Sequence, residues 1–227
     1  MKRIFIIILT VCFALNSNAQ DVVHHQKGED LAQHMLDSVK YVLPDFTAGL
    51  VVFKDGSTAN GPVNISTITQ RVLFISPDGE IQEVLNQGTI DRVSVKGRSF
   101  VNTKQGYVEL LDMGGDDIIF GCVRRVKFLE SEKTGAFGTS TTTSSVTSMS
   151  SIAADGRVYE LAQNVKTPYT YSETPYLSRK GKFNYASKRY IIKCFPSKKA
   201  EIEKYLQDHK VDFGSMDDVR ALFDYLK

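Results

Sequence analysis

The chain has 227 residues, 42% of them hydrophobic, with 28 basic and 26 acidic side chains and a formal net charge of +2. Three cysteines are too few for a disulfide-built scaffold, and the length suits one sizeable core or two small ones, so stability has to come from burial. The near balance of charge excludes the strongly basic surface that nucleic acid or an anionic membrane calls for.

Residues 1–19 read as a cleavable export signal. Lys2 and Arg3 give a positive start, Ile4 to Leu15 form an unbroken apolar run, and Ser17 and Ala19 stand at positions −3 and −1 of a cut before Gln20. That run is shorter than the roughly 20 residues of a spanning helix, so the reading is removal, with no transmembrane span after processing. Leu9-Thr10-Val11-Cys12 superficially resembles a lipid-attachment box, but Val11 is bulky where a small residue is wanted. The expected location is exported, periplasmic or extracellular. Loss of Lys2 and Arg3 leaves 26 basic and 26 acidic residues in the mature chain.

Segment 20–46 contains a candidate short helix over Glu29 to Lys40, with Leu31, Met35 and Val39 on one side and Pro44 ending it. From residue 47 to 133, apolar runs alternate with turn residues at intervals of roughly ten, the spacing of an antiparallel meander, roll or barrel-like sheet. The predicted strands are Gly49 to Lys54, Val63 to Ile68, Arg71 to Ser76, Glu80 to Leu85, Thr89 to Val95, Ser99 to Asn102, Tyr107 to Asp112 and Asp117 to Leu129. Asp55-Gly56, Asp78-Gly79, Lys96-Gly97, Gln105-Gly106 and Gly114-Gly115 supply the turns. Arg124, Arg125 and Lys127 flank the apolar positions of the last strand, which predicts one solvated face.

Segment 134–156 is Ser/Thr-rich and reads as a flexible loop, because eleven of the thirteen residues from Thr139 to Ser151 are Ser or Thr. Segment 157–227 is expected to hold further strands and a C-terminal helix pair. Ser197 is a candidate cap for a helix with Ile202, Tyr205, Leu206 and His209 on one stripe; Ser215 is one for a second, with Val219, Leu222, Phe223 and Leu226. The fold class expected is α+β: an antiparallel sheet followed by a C-terminal helical hairpin.

Candidate chemistry is sparse. His24, His25, His34 and His209 all lie near the mature ends, and no nucleophile elbow, phosphate loop or zinc spacing occurs. No catalytic set, metal site or cofactor is called for. Asp112, Asp116 and Asp117 cluster around Gly114-Gly115, which leaves a hydrolase of unfamiliar design as the alternative to a non-enzymatic module. The candidate binding surface is Tyr169, Tyr171, Tyr176, Arg179, Lys180, Lys182 and Tyr185, since tyrosines interleaved with cations suit an envelope glycan or an anionic polymer; another envelope protein is the other partner class. Cys122 and Cys194 both fall on the apolar positions of strand-like stretches, so they are two buried thiols or one bridge.

The stretch Lys193-Cys194-Phe195-Pro196-Ser197-Lys198-Lys199, with Ile202, Tyr205-Leu206, Val211-Asp212-Phe213, Asp217-Asp218 and Leu222, resembles the tail of a group of uncharacterised secreted proteins of the Bacteroidota. Phe53-Lys54-Asp55-Gly56, Val63-Asn64 and Leu73-Phe74-Ile75 resemble the β part of the same group. The resemblance spans most of the mature chain and implies a secreted, β-rich protein with no assigned catalysis. The expected function is an exported, non-enzymatic binding or structural module of the cell envelope.

Overall fold

The computed structural model describes residues 21–26, 29–129, 151–154, 157–160 and 164–227. The export signal of residues 1–19 lies outside them, as does most of the Ser/Thr-rich segment 134–156. Thirteen strands are described: β1 (Asp21–Gln26), β2 (Thr47–Phe53), β3 (Thr58–Ile65), β4 (Val72–Ile75), β5 (Ile81–Glu83), β6 (Ile90–Val95), β7 (Arg98–Thr103), β8 (Gly106–Met113), β9 (Ile119–Phe128), β10 (Ser151–Ala154), β11 (Arg157–Glu160), β12 (Asn164–Arg179) and β13 (Lys182–Tyr185). The helices are α1 (Asp37–Lys40), α2 (Lys188–Cys194), α3 (Lys199–Asp208) and α4 (Met216–Leu226). The α+β class is as expected.

Eleven strands form one antiparallel sheet in the order β1-β12-β9-β8-β7-β6-β2-β3-β4-β5, with β13 also pairing with β12. β10 and β11 form a separate hairpin. β2 is the branch point: the chain runs outward through β3, β4 and β5, then returns to β2's other edge with β6.

The sheet is rolled. β9 and β3 are five inter-strand steps apart, which in a flat sheet is roughly 24 Å. Yet the corner between β3 and β4 touches β9: Val126 N donates to Thr67 O at 3.0 Å, and Gln70 Nε2 donates to Arg124 O at 2.8 Å. Inside the roll lie Val51, Val63, Ile65, Val72, Val93 and Phe100, all buried. Their strand positions share one face through the pairings Val51↔Val93, Val93↔Phe100 and Ile65↔Val72, as the period-two alternation requires. Gln87 fastens the interior. Its amide accepts from Val72 N and donates to Val72 O and Val84 O, and the Tyr107 hydroxyl donates to it at 3.3 Å.

The helices cover the inner face of β9 and β12 beyond the roll. Val219, Leu222, Phe223 and Leu226 of α4 pack with Ile202 of α3, Ile191 of α2 and the sheet residues Phe120 and Leu177. Phe223 stacks on Phe120 with ring centroids 5.3 Å apart. Ser215 caps α4 by accepting from Asp218 N at 3.2 Å.

Several expectations change. Residues 190–194 are helical rather than strand: α2 buries Ile191 and Cys194, three apart on one helical face, behind a cap in which Ser187 accepts from Tyr190 N. Cys194 therefore reaches the core from a helix. Cys122 and Cys194 are separate, buried, free thiols. Ser197 caps nothing; it sits in the 3-10 turn Pro196–Lys198, and α3 starts without a side-chain cap. The helix anticipated over Glu29 to Lys40 is divided into a 3-10 turn, Leu31–His34, and the single turn α1. Between them Met35 is extended and buried against Val23 and Val126, a contact that a continuous helix would forgo. β9 has no fully solvated face, because Val123 is covered by Val108 and Phe183 on the side opposite Phe120 and Cys122.

Candidate functional site

The roll distributes the sequence-predicted binding residues over different surfaces. On β12 the odd-numbered positions face inward: Tyr169, Tyr171 and Glu173 pair with Phe128, Val126 and Arg124 of β9. Tyr176 falls on the opposite parity and meets Tyr185 of β13 edge-on at 6.4 Å, on the outer face. Arg179 donates to Lys193 O, tying the hairpin to α2. Lys180 and Gly181, with φ of 52° and 73°, form the β12–β13 turn, and Lys182 begins β13. Tyr169 and Tyr171 are thus separated from Tyr176 and Tyr185 by the thickness of the sheet. Burial raises the phenol pKa of all four tyrosines, aided by Asp21 at Tyr169 and Glu173 at Tyr171.

The inward parity of β7, β8, β9 and β12 carries an ion ladder. Arg98 Nε donates to Glu109 at 2.5 Å, Arg124 donates to Glu109, and Arg124 Nε donates to Glu173 at 2.8 Å. Burial alone would raise the Glu109 carboxyl, but the hydrogen bonds and charges of Arg98 and Arg124 outweigh it and hold the pKa below the usual glutamate value. Two cations and two anions cancel here. The ladder joins four adjacent strands and presents no uncompensated charge to a ligand.

Among the described residues the aspartate cluster assembles no catalytic pair. The Asp112 carboxylate accepts from Lys227 Nζ, which also reaches Asp224 at 3.0 Å, and the hydrogen bond from Lys227 lowers the Asp112 pKa. Asp117 lies in the 3-10 turn Gly115–Asp117, and the Asp116 side chain lies outside the described residues. His34 bonds Glu29, and His25 bonds Thr167. Among the described residues no three His, Cys, Asp or Glu side chains converge on a metal position.

What the roll does build is a groove of about 1040 Å³ at the mouth between β2, β3, β4 and the β5 edge. Its inner walls are Val51 and Phe53 from β2, Val63 from β3 and Phe74 from β4, with Val84 just after β5. Its floor is small. Ala59 and Gly61 alternate with Val63 on β3, and a Cβ built on Gly61 meets no heavy atom within 4 Å. By contrast, a Cβ on Gly49, also on this face, would lie 2.7 Å from Val63 Cγ2. Gly49 lets strands pack; Gly61 leaves space.

Local sequence explains the opening. Along β3, β4 pairs only with Val63–Ile65, so among the described residues the outer edge of β3 before Val63 has no strand beside it. Pro62, without an N–H, stands at the limit of that unpaired stretch. Pro77 then turns the chain through the Asp78-Gly79 corner, where Gly79 has φ of 88°. No local sequence pattern announces the groove. The available signal was the pair of small residues at inward positions 59 and 61, ahead of Val63 and Ile65.

Fold and groove together define an α+β protein whose rolled antiparallel sheet opens onto an apolar groove. No protein-family model, curated protein or solved structure matches the chain. Among the described residues no helix is long and apolar enough to cross a membrane.

Proposed function

We propose that the chain is an exported, non-enzymatic module of the cell envelope that holds a ligand in the groove. The observation carrying this reading is the groove itself: an open apolar space whose floor is kept clear by Ala59 and Gly61 rather than filled by core side chains. Clefts of this kind, apolar with a few polar groups at the rim, are the usual form of small-molecule sites. Asp112, one of the carboxylates of the hydrolase alternative, is engaged by Lys227. The export reading rests on the N-terminal sequence, and the likeness to secreted Bacteroidota proteins on the residues of the β part and of the C-terminal tail.

The test is native mass spectrometry of the full chain expressed in a bacterial host and recovered from its envelope fraction. The expected species lacks residues 1–19 and carries a non-covalent adduct that is missing from Gly61→Leu. Retention of residues 1–19 refutes export; an adduct retained by Gly61→Leu refutes the groove as the site.

An exposed cationic tip supports a second reading, contact with an anionic envelope polymer or glycan. Lys180 and Lys182 stand exposed at the β12–β13 turn, and the Tyr190 hydroxyl donates to Lys182 O, drawing the exposed Lys188 and Arg189 of α2 alongside. Binding through this tip weakens with salt and with Arg179, Lys180 and Lys182 changed to Ser. Equal retention on cell-wall and lipopolysaccharide fractions at low and high salt for both proteins refutes it.

A further inference from the structure

Building on the groove reading, we infer that the ligand is an uncharged lipid, an aliphatic chain with a neutral polar head. Three features of the groove select that chemistry. The walls are aliphatic and aromatic, and the apolar lining continues onto Ile75, Pro77 and Leu85, the last 83% exposed. A surface this apolar at the edge of a folded sheet gains by covering with hydrocarbon, about 25 cal/mol for each Å² removed from water. The volume, about 1040 Å³, lies just above the ~300–1,000 Å³ usual for small-molecule sites and so suits a chain rather than a fragment.

Charge excludes the commoner amphiphiles. Among the described residues the lining contains no lysine, arginine or histidine. The one ionisable group among them is Glu83, whose carboxylate is held by Arg71 at 2.6 Å. A fatty acid or phospholipid would bring its anion beside a carboxylate that already has its counter-ion, and would lose water with no cation in the groove to replace it. A cationic amphiphile would have to compete with Arg71. The remaining polar side chains of the described lining are neutral, Asn60, Ser76, Gln82, Asn86 and Thr89, and the exposed amides of Gln82 and Asn86 are able to donate to and accept from hydroxyls and esters.

The experiment measures displacement of the neutral fluorophore N-phenyl-1-naphthylamine from the mature protein at pH 8, using monolauroylglycerol and laurate, which share a chain and differ in head charge. Saturable probe binding is expected, with monolauroylglycerol displacing it at about one-tenth the laurate concentration. Gly61→Leu, whose new side chain enters the open floor, is expected to weaken probe binding by about tenfold or more. Gln82→Arg, at an exposed position that leaves the fold unburdened, is expected to raise laurate affinity about tenfold relative to monolauroylglycerol by supplying the missing cation.

Laurate equal to monolauroylglycerol in the unsubstituted protein overturns the neutral-lipid assignment while leaving the groove as the site. Probe binding unchanged in Gly61→Leu, or no saturable binding at all, overturns the groove reading as well. A dimer that Gly61→Leu dissociates identifies a second copy as the occupant and overturns the lipid.

Discussion

Glu109→Gln tests whether the ion ladder holds the rolled sheet together. Glu109 is 5% exposed and receives two hydrogen bonds from Arg98, at 2.5 and 2.9 Å, and one from Arg124. Glutamine keeps the shape but removes the charge, and it turns one acceptor into an N–H₂ that faces guanidinium donors. Breaking a buried pair by removing one partner typically costs about 3–5 kcal/mol, because the remaining charge is left uncompensated. Here two features reduce the cost. The Arg98 side chain is 31% exposed and can recover water, and Arg124 keeps Glu173. The expected loss is therefore about 2–4 kcal/mol at pH 7. The pH dependence separates charge from shape. A carboxyl with a lowered folded-state pKa contributes stability above its unfolded value, about 4.3, and loses it as pH falls through the lower folded value. Urea denaturation at pH 7, 5 and 3 should show the gap between the parent protein and Glu109→Gln intact at the first two and shrinking at the third. A gap below about 0.5 kcal/mol at pH 7, or one that stays constant to pH 3, would refute an electrostatic role for the ladder.

The other expectations concern the helices and the thiols. Leu222→Ala, at a fully buried position between α4 and the sheet, should cost about 2–5 kcal/mol in urea denaturation; an unchanged midpoint would mean that the helix stripe is not core. Ser215→Ala should cost about 1 kcal/mol by leaving Asp218 N without its cap, and Ser215→Asp should restore most of it. Burial pushes the thiol of Cys122 up to about 12 and that of Cys194 up to about 11, so alkylation of both at pH 7.5 should be at least about a hundredfold slower in the native state than in urea. Rapid labelling of either in the native protein would show that its cover opens.

The meander was legible because its signals are local. Each predicted strand between residues 47 and 129 corresponds to one of β2 to β9, since alternation and positive-φ turns such as Lys96-Gly97 are written within a few residues. α4 was legible for the same reason: Ser215 and the stripe Val219, Leu222, Phe223 and Leu226 fall within twelve residues. α2 was not, because Tyr190, Ile192 and Cys194 alternate as in a strand while Ser187, Ile191 and Cys194 encode a cap and a helical face; packing against Phe120 and Leu177 decides between them. The groove was hidden for a different reason. Its walls come from β2, β3, β4 and the segment after β5, so its existence depends on the strand order around β2 and on where β4 stops pairing, which no local pattern states. The tyrosine and lysine cluster shows the converse error: residues close in sequence on one long strand point to opposite faces.

The order of the sheet also fixes an order of completion. β12 is a sixteen-residue strand that pairs with β9, β13 and β1, so it closes one side of the sheet by itself. Until it docks, the ten residues of β9 offer a bare row of backbone donors and acceptors, with residues 129–163 still to be looped across. β1 waits longer still, because its partners lie about 140 residues further along the chain and pay the largest loop-closure entropy in the sheet. The half-built molecule consequently carries an adhesive edge at β9, where association between copies competes with folding. Substitutions that slow β12 docking raise aggregation without changing any contact of the finished protein.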